Sequence, residues 1–367
     1  YNPVSERYEY QNVPSEIKNK YSIVENVYSS YLMTVLDLGE KLKIISGVRL
    51  DLENNTYDAV YAPDLVDDNG VAKGTIRDTT SNYNDLKVLP NFHIIYKPFS
   101  WVDFRAAYTK TLSRPDFSKR LPTLFINRTE KSITRNNPVL LTTVSNNFDL
   151  IASFYNWKFG LFTIGGFYKK LDNVAYTRSG FIIRDENDAE ELGLPVDQGL
   201  LAGFSLTEPV STDDSEVYGI EIDLQANFGF ASGALRNLVF RGNYTHIVSK
   251  TYYPRVMYIR ETDVFPPPPA ERVIYLEENR MEKQPSDFGN LAIGYDIKGF
   301  SSRLSVYFQR RYFSDIAVDK VQDRFRIAYS RWDLALKQQI NKNLTAFFNF
   351  TNFTNPLEGN DYRHEDL

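Results

Sequence analysis

The chain has 367 residues, of which 42% are hydrophobic and 14% aromatic, and its formal net charge is -5 at pH 7. It contains no cysteine, which excludes disulfide frameworks, thiolate metal sites and cysteine nucleophiles. No apolar run approaches the ~20 residues that a membrane-spanning helix needs, and no tract of Lys and Arg indicates a nucleic-acid surface.

The first third of the chain predicts four long strands. The first two are expected at residues 22–37 and Lys41–Tyr61, with a turn at Gly39 and Glu40. After a polar loop from Ala62 to Ser81, strands three and four alternate apolar and polar side chains, which is the period of two of a half-buried strand. Their apolar members are Leu86, Val88, Phe92, Ile94 and Tyr96, then Val102, Phe104, Ala106 and Tyr108.

A long polar segment from Ser113 to Leu141 leads into a hairpin over Asn146–Lys170. The direction reverses near Trp157, and each arm has about ten residues, whereas strands of globular proteins average roughly five to six. A tilted strand of ~9 to 11 residues is the length that crosses a lipid bilayer. The hairpin therefore predicts strands five and six of a membrane sheet.

The second half repeats this organisation with six further strands. A polar segment from Ala175 to Asp214 precedes strands seven and eight, and a third long loop from Tyr252 to Gln284 contains FPPPP at Phe265–Pro269. Strands nine and ten turn at Lys298 and Gly299, a loop begins at Ser314, and strands eleven and twelve turn at Asn341 and Lys342. Short turns thus alternate with long loops throughout the sequence.

This parity of connection lengths distinguishes two kinds of all-β protein. In a soluble sandwich, short and long connections need not alternate. In an outer-membrane barrel, short turns lie on the periplasmic side and long loops lie outside. We therefore predict a transmembrane antiparallel up-and-down β-barrel. Both ends of the twelve strands would lie outside, which is inconsistent with a complete barrel of even strand number, so we expect a fragment whose edges near Val27 and Phe348 pair with other strands.

Several stretches resemble TonB-dependent outer-membrane receptors, particularly those of the Bacteroidetes group. The stretches are GVRLD at Gly47, AAYTKTLSRPDFSKRLP at Ala106–Pro122, NPVLLTTVSNNFDL from Asn137, GGFYKKLDNV from Gly165, YGIEIDL from Tyr218 and FFNFTNFTNP from Phe347. The resemblance implies that residues 1–367 are the C-terminal portion of one barrel domain of about 22 strands. Its plug domain, which would contact TonB, is absent from this sequence.

The resemblance further implies a receptor, not an enzyme, in the bacterial outer membrane, for energy-dependent uptake of a siderophore, cobalamin, glycan or peptide. Expected partners are the TonB complex, the lipid bilayer, the extracellular solute and a surface lipoprotein, and neither a cofactor nor nucleic acid is expected. The alternatives are a plugless porin or adhesive outer-membrane barrel, and a soluble carbohydrate-binding β protein.

Two groups of residues are candidates for function. Tyrosines and arginines in the loop from Tyr252 combine stacking surfaces with charged donors, which suits a polar or anionic ligand. They are Tyr252, Tyr253, Arg255, Tyr258 and Arg260. A second group of charges is expected to face the barrel lumen and to bond the plug or one another, since buried charges need partners. It comprises Glu221, Asp223, Arg303, Arg311, Arg331 and Asp333.

Metal sites and catalytic groups are weakly indicated. His93, His246 and His364 lie on distant segments without ligand spacing, and no Ser/His/Asp arrangement stands out, so we predict neither a metal site nor a catalytic residue. The acidic run Asp185–Glu191 is expected to be a solvated loop, with calcium binding as the alternative, because clustered carboxylates supply the oxygen ligands of that ion.

Overall fold

The computed structural model describes residues 20–61, 77–156, 160–194, 201–212, 214–259 and 271–362. In these ranges the strands are, in chain order, β1 (Tyr21–Leu38), β2 (Leu42–Tyr61), β3 (Arg77–Phe99), β4 (Val102–Ser113), β5 (Leu124–Asn127), β6 (Ser132–Arg135), β7 (Thr143–Asn156), β8 (Gly160–Asp172), β9 (Val174–Ile182), β10 (Ser205–Thr212), β11 (Ser215–Asn227), β12 (Leu238–Ile259), β13 (Glu271–Asn279), β14 (Asp287–Ile297), β15 (Phe300–Gln309), β16 (Tyr312–Asp315), β17 (Arg324–Arg326), β18 (Tyr329–Gln339), β19 (Thr345–Phe350) and β20 (Asn360–Tyr362).

Helices are few and short in the described ranges. One α-helix, α1, spans Glu186–Glu191, and 3-10 helices span Phe117–Arg120, Gly233–Asn237 and Lys320–Gln322. Asp185 caps α1, because its side chain accepts a hydrogen bond from the Asp188 amide. None of the helices in these ranges has the length and apolar character needed to cross a membrane.

The dominant feature is one large antiparallel sheet. Its strands follow the order β1-β2-β3-β4-β7-β8-β11-β12-β14-β15-β18-β19, and β13 pairs with the far half of β12. These twelve consecutive neighbours confirm the twelve strands predicted from the alternating pattern. The sequential order confirms the up-and-down arrangement as well. Within the described residues the path is open, since it ends at β1 and at β19.

The apolar residues of the twelve strands lie on one face, which we call the apolar face. The cross-strand register shows that they share a face, because directly paired residues point to the same side of a sheet. Leu50 pairs with Val88, and Ile94 pairs with Ile44 and Ala106. The same alignment continues to the last strand, where Leu334 pairs with Phe350. Charged and amide side chains occupy the opposite, polar face.

Two rows of aromatic rings border the apolar face of β4, β7 and β8. In one row Phe148 lies 5.0 Å from Tyr108 and 6.3 Å from Tyr168, measured between ring centroids. In the other row Phe154 lies 6.4 Å from Trp101 and 6.0 Å from Phe162. Six residues, or about 20 Å of strand, separate the rows along β7 and along β8.

All short connections lie at one end of the sheet, because consecutive strands are antiparallel neighbours. They join β1–β2, β3–β4, β7–β8, β11–β12, β14–β15 and β18–β19. The turn near Trp157 lies outside the described residues. The long connections lie at the other end, which we call the long-connection end. The predicted parity of connection lengths is therefore seen in the topology.

The described parts of the connections after β4, β8, β12 and β15 are folded. The sequence analysis interpreted these segments as polar loops and did not predict their strands. β5, β6, β10 and β9 form a four-stranded sheet that covers a core of buried side chains, and β16, β17 and β20 form a three-stranded sheet. The first core comprises Leu124, Ile126, Ile133, Phe181, Ile183, Ala189, Leu194, Leu201, Phe204, Leu206 and Val318. A second core comprises Tyr176, Tyr253, Phe313 and Ile316. The connections therefore form a packed assembly, here called the loop assembly.

Candidate functional site

Arg255 is a fully buried charge of the loop assembly. Its guanidinium donates from Nη1 and Nη2 to the two carboxylate oxygens of Asp323 at 2.7 and 2.8 Å, and from Nε to Glu277 at 2.7 Å. Both Arg255 and Asp323 have no exposed side-chain surface. A bidentate pair of this kind is geometrically specific, so it fixes the β12–β13 hairpin against the segment between β16 and β17.

Two further carboxylates are each held between two arginines. Asp188 of α1 accepts from Arg184 at 3.0 Å and from Arg272 of β13 at 2.8 and 2.9 Å. Glu208 of β10 pairs with Arg135 and Arg178. Hydrogen bonds from Arg184, helped by the charge of Arg272, outweigh burial and lower the pKa of Asp188 to about 2. These contacts bind β6, β9, β10, α1 and β13 together.

The fourth cluster lies on the polar face where β2 meets the segment after β4. Glu53 accepts from Arg120 at 2.8 Å and from Arg114 at 2.9 Å, and both Arg120 and Glu53 are buried. The Arg120 guanidinium stacks 3.7 Å from the ring centroid of Tyr83, an arrangement favourable for a cation. Arg114 also donates to Asp51 at 3.2 Å, so it links two carboxylates in one ion-pair network.

Two open cavities lie on the polar face or at its border. The first, of about 800 Å³, is formed by the polar face of β2, β3 and β4, and its charged lining residues are Arg49, Asp51, Arg105, Lys110 and Arg114. The second, of about 610 Å³, lies at the long-connection end of β15 and β18 and is lined by tyrosines and charges, namely Tyr307, Tyr312, Tyr329, Lys283, Asp315, Arg326 and Glu358. Both have the size range of small-molecule sites.

The predicted ligand-binding residues occupy different environments. Tyr258 and Tyr252 are 52% and 37% exposed, and the Tyr252 hydroxyl donates to Glu278 at 3.2 Å. Tyr253 is buried against the edge of Tyr176, with ring centroids 5.0 Å apart, and Arg255 is buried as described above. Burial raises the pKa of Tyr176 to about 12. Arg260 lies outside the described residues, as does the FPPPP stretch.

The six predicted lumen-facing charges lie on the polar face or directly beyond it. Glu221 and Asp223 are on β11 opposite Ile220 and Ile222, and Asp223 accepts from Gln225. The remaining four residues are distributed along β15, its end, and β18. Arg303 forms a bidentate pair with Asp296, Arg331 lies 3.4 Å from Asp333, and Arg311 lies 5.5 Å from the ring centroid of Phe325.

The acidic run Asp185–Glu191 is a capped helix rather than the solvated loop that we expected. Asp188 is buried between two arginines and Asp185 caps the helix, so both carboxylates have protein partners. No grouping of three or more His, Asp or Glu side chains suited to a metal ion occurs in the described part of the chain. His364 is not among the described residues.

Sequence reasoning did not identify Glu208, Asp323 or Arg120. Their partners Arg135, Arg255 and Glu53 are 73, 68 and 67 residues away in the chain. No local spacing in the sequence therefore predicts these pairs. The available signal was the abundance of Arg in connections that otherwise read as polar loops.

Comparison with known proteins gives one family match and many structural matches. The sequence model of the family described as "TonB dependent receptor-like, beta-barrel" matches residues 1–353. No curated protein sequence matches the chain.

Three solved structures illustrate the structural match. The siderophore receptor PiuA from Acinetobacter baumannii has a TM-score of 0.57 and 13% identity, over 92% of this chain and 40% of PiuA. The Serratia marcescens hemophore receptor HasR, a double mutant in complex with its hemophore HasA and heme, has a TM-score of 0.58 and 15% identity, over 90% of this chain and 48% of HasR. The ferric-catecholate import receptor Fiu from E. coli K12, in its open form, has a TM-score of 0.54 and 15% identity, over 92% of this chain and 38% of Fiu.

The chain thus spans less than half of each of these structures. At such low identities the likeness concerns the fold.

Proposed function

Because the chain belongs to the TonB-dependent receptor-like β-barrel family, we propose that it forms part of a bacterial outer-membrane receptor for TonB-linked uptake of a scarce solute. The family and the matched structures are receptors rather than enzymes. In this proposal the chain supplies twelve wall strands and the outer loops, and a plug domain supplied by the rest of the receptor contacts TonB.

The observation that supports the proposal best is the unbroken apolar face. Twelve strands present apolar side chains in register on one side, and many of them are exposed, including Leu86 at 62% and Leu150 at 65%. An exposed apolar surface of this extent needs a partner, and a bilayer provides one along the whole wall. The polar face then lines the lumen, and the long-connection end faces the cell exterior.

We propose that the solute is bound at the long-connection end, on the loop assembly and the polar face below it. Tyr258 and Tyr252 are accessible there for stacking, whereas Arg255 and Tyr253 would hold the hairpin that presents them. Arg260 is proposed as an additional charged donor of this surface. The tyrosine-lined cavity at Tyr307 and Tyr329 supports binding of a polar solute at the same end.

We further propose that Glu221, Asp223, Arg303, Arg311, Arg331 and Asp333 face the plug. The support is their position on the polar face or at its border. Glu221 is exposed, so it remains accessible to a segment inside the barrel. The cavity bordered by Arg49, Arg105 and Arg114 lies on the same polar face, on β2, β3 and β4, and would also face the plug.

A growth experiment with several classes of solute tests the proposed function. The receptor gene is deleted in its host, and growth is measured with a limiting siderophore, cobalamin, glycan or peptide source, beside a strain lacking TonB. We expect one condition in which both deletions abolish growth and the receptor gene restores it only when TonB is present. Restoration without TonB would identify a passive pore and contradict active uptake.

A further inference from the structure

A row of aromatic residues on the apolar face ends next to a group of cations. Tyr244 pairs with Gly289, and Gly289 pairs with Phe308 on the next strand. The two rings stack across the glycine with centroids 6.4 Å apart. A Cβ at Gly289 would lie 2.4 Å from the Asn243 carbonyl oxygen and 3.1 Å from the Phe308 ring, so the close approach requires glycine here.

Two residue pairs further toward the long-connection end, on the same face, the row becomes charged. His246 pairs with Asp287, and the Arg310 amide donates to the Asp287 carbonyl at 2.8 Å. The Asp287 carboxylate accepts from Tyr244 at 2.6 Å, from Ser286 and His246 at 2.7 Å, and from Arg310 at 3.3 Å. The Asp287 carboxylate therefore accepts hydrogen bonds from four donors, which occupy the four acceptor positions of its two oxygens.

Two neighbouring guanidiniums have no carboxylate partner among the described residues. Arg280 is half-buried and donates to the Ile247 carbonyl at 3.1 Å, and the Arg311 guanidinium lies 5.5 Å from the ring centroid of Phe325. Burial lowers the pKa of Arg280 and the charge of Arg310 lowers it further, although Asp287 opposes this effect. Among the described residues no carboxylate accepts a hydrogen bond from the partly buried Arg280, so an anion bound here would be stabilised.

These side chains line one cavity of about 560 Å³, which we call the cationic cavity. It is bordered by Arg280, Gln284, Ser286, Arg310, Arg311, Tyr312, Phe313, Phe325 and Ala328. Three arginines thus surround it, and Asp287 contacts one of them. The Gln284 Oε1 atom is buried without a hydrogen-bond partner, so it can accept from a hydroxyl of a ligand. The aromatic rings add an apolar wall.

We propose that the cationic cavity binds a phosphate ester carried on a larger group. Guanidiniums present forked N–H donors that match phosphate oxygens, and a cavity of this size exceeds a bare phosphate ion. The chemistry has two sources, the headgroup of an outer-leaflet lipid and a soluble phosphorylated compound. The adjoining Tyr244–Phe308 row places the cavity at the border of the apolar face. Its test is independent of transport, so it can fail while the proposed uptake function stands.

The test uses the intact receptor purified in an uncharged maltoside detergent. Binding of dodecyl phosphate, glucose 1-phosphate and the neutral amphiphile dodecyl glucoside is titrated calorimetrically. The double variant Arg280→Gln/Arg310→Gln should bind the phosphate ligand at least about tenfold more weakly than the parent, because it loses charge-assisted hydrogen bonds. Arg236→Gln, which removes an exposed arginine at the short-connection end, is the matched control and should bind like the parent.

The ligands distinguish the two sources. Tighter binding of dodecyl phosphate than of glucose 1-phosphate indicates a lipid headgroup, and equal binding indicates a soluble ester. If the double variant does not fold, the single variant Arg310→Gln provides the same comparison, since this side chain is 73% exposed. Phosphate binding that is unchanged in the folded variant, or equal binding of dodecyl glucoside, would overturn the proposal.

Discussion

At the scale of single residues, the buried ion pairs of the loop assembly are its most sensitive points. Removing one member of a buried pair leaves a charge that cannot be solvated, whereas an exposed pair is replaced by water at little cost. The chain offers both cases with similar bidentate geometry, Arg255 with Asp323 and Arg303 with Asp296. The second pair is 39% and 44% exposed.

We expect Asp323→Asn to destabilise the loop assembly by about 3 kcal/mol, because Arg255 keeps its charge but loses a buried carboxylate. The free energy of local opening, measured by hydrogen exchange at the backbone amides of β13, reports the change. Asp296→Asn is the matched control and should cost less than about 1 kcal/mol. Equal effects of the two substitutions would show that burial does not govern these pairs.

Asp188 predicts a pH dependence of the loop assembly. Its pKa of about 2 in the folded chain, held down first by hydrogen bonds from Arg184, lies below the ordinary value of about 3.9. The folded state therefore binds fewer protons than the unfolded state. The resulting stabilisation, about 2 kcal/mol, is present above pH 4 and is lost as the pH falls through about 2.

Hydrogen-exchange protection of α1 between pH 5 and pH 2 measures this loss. In Asp188→Asn the protection should be lower at pH 5 and should not fall further over the same range, once intrinsic exchange rates are corrected. A parent chain whose α1 stays equally protected at pH 2 would contradict the assigned role of the carboxylate.

At the scale of strands, the alternation of side chains determines the two faces of the sheet. Ile222 of β11 pairs with Ile164 and Tyr244, so it lies within the apolar face. Its neighbour Glu221 lies at the same depth on the polar face.

We expect Ile222→Arg to destabilise the barrel by about 2–4 kcal/mol, because an arginine on the lipid side near the midplane is costly. The measurement is the free energy of unfolding in lipid vesicles by denaturant titration. Glu221→Arg introduces the same side chain one residue away and should cost clearly less. A larger effect at Glu221 would reverse the assignment of the faces.

The long strands could be predicted from sequence and the strands of the connections could not. An alternation that persists over ten or more residues has no helical reading, which is why it predicts β2, β7 and β11. By contrast β6 has 4 residues and pairs on one side with β10, where Ser132 lies opposite Ser205, 73 residues later in the chain. Sequence spacing does not predict such a pairing, and the same holds for Arg255 and Glu208, whose roles arise only when separate connections meet.

At the scale of the whole molecule, the sheet has two chemically different ends. The long-connection end carries the loop assembly and the other end carries short turns. Since the chain contains no cysteine, single cysteines can report which end faces the outside of a cell.

We expect an impermeant maleimide to label Val139→Cys and Val321→Cys on intact cells but Leu235→Cys only after the outer membrane is permeabilised. The three side chains are 71%, 59% and 63% exposed. Their solvent exposure is thus similar, and a difference in labelling reports the side of the membrane on which each lies. Labelling of Leu235→Cys on intact cells would invert the proposed orientation.

The spacing of the ion pairs has a consequence for how the protein is made. Six pairs of wall strands are closed by short turns, so their first contacts are local, whereas Arg272 contacts Asp188 across 84 residues and Arg255 contacts Asp323 across 68. Contacts between distant residues form late, since loop closure must precede them. We therefore expect the wall hairpins to form before the ion pairs of the loop assembly, because these pairs need separate connections to meet.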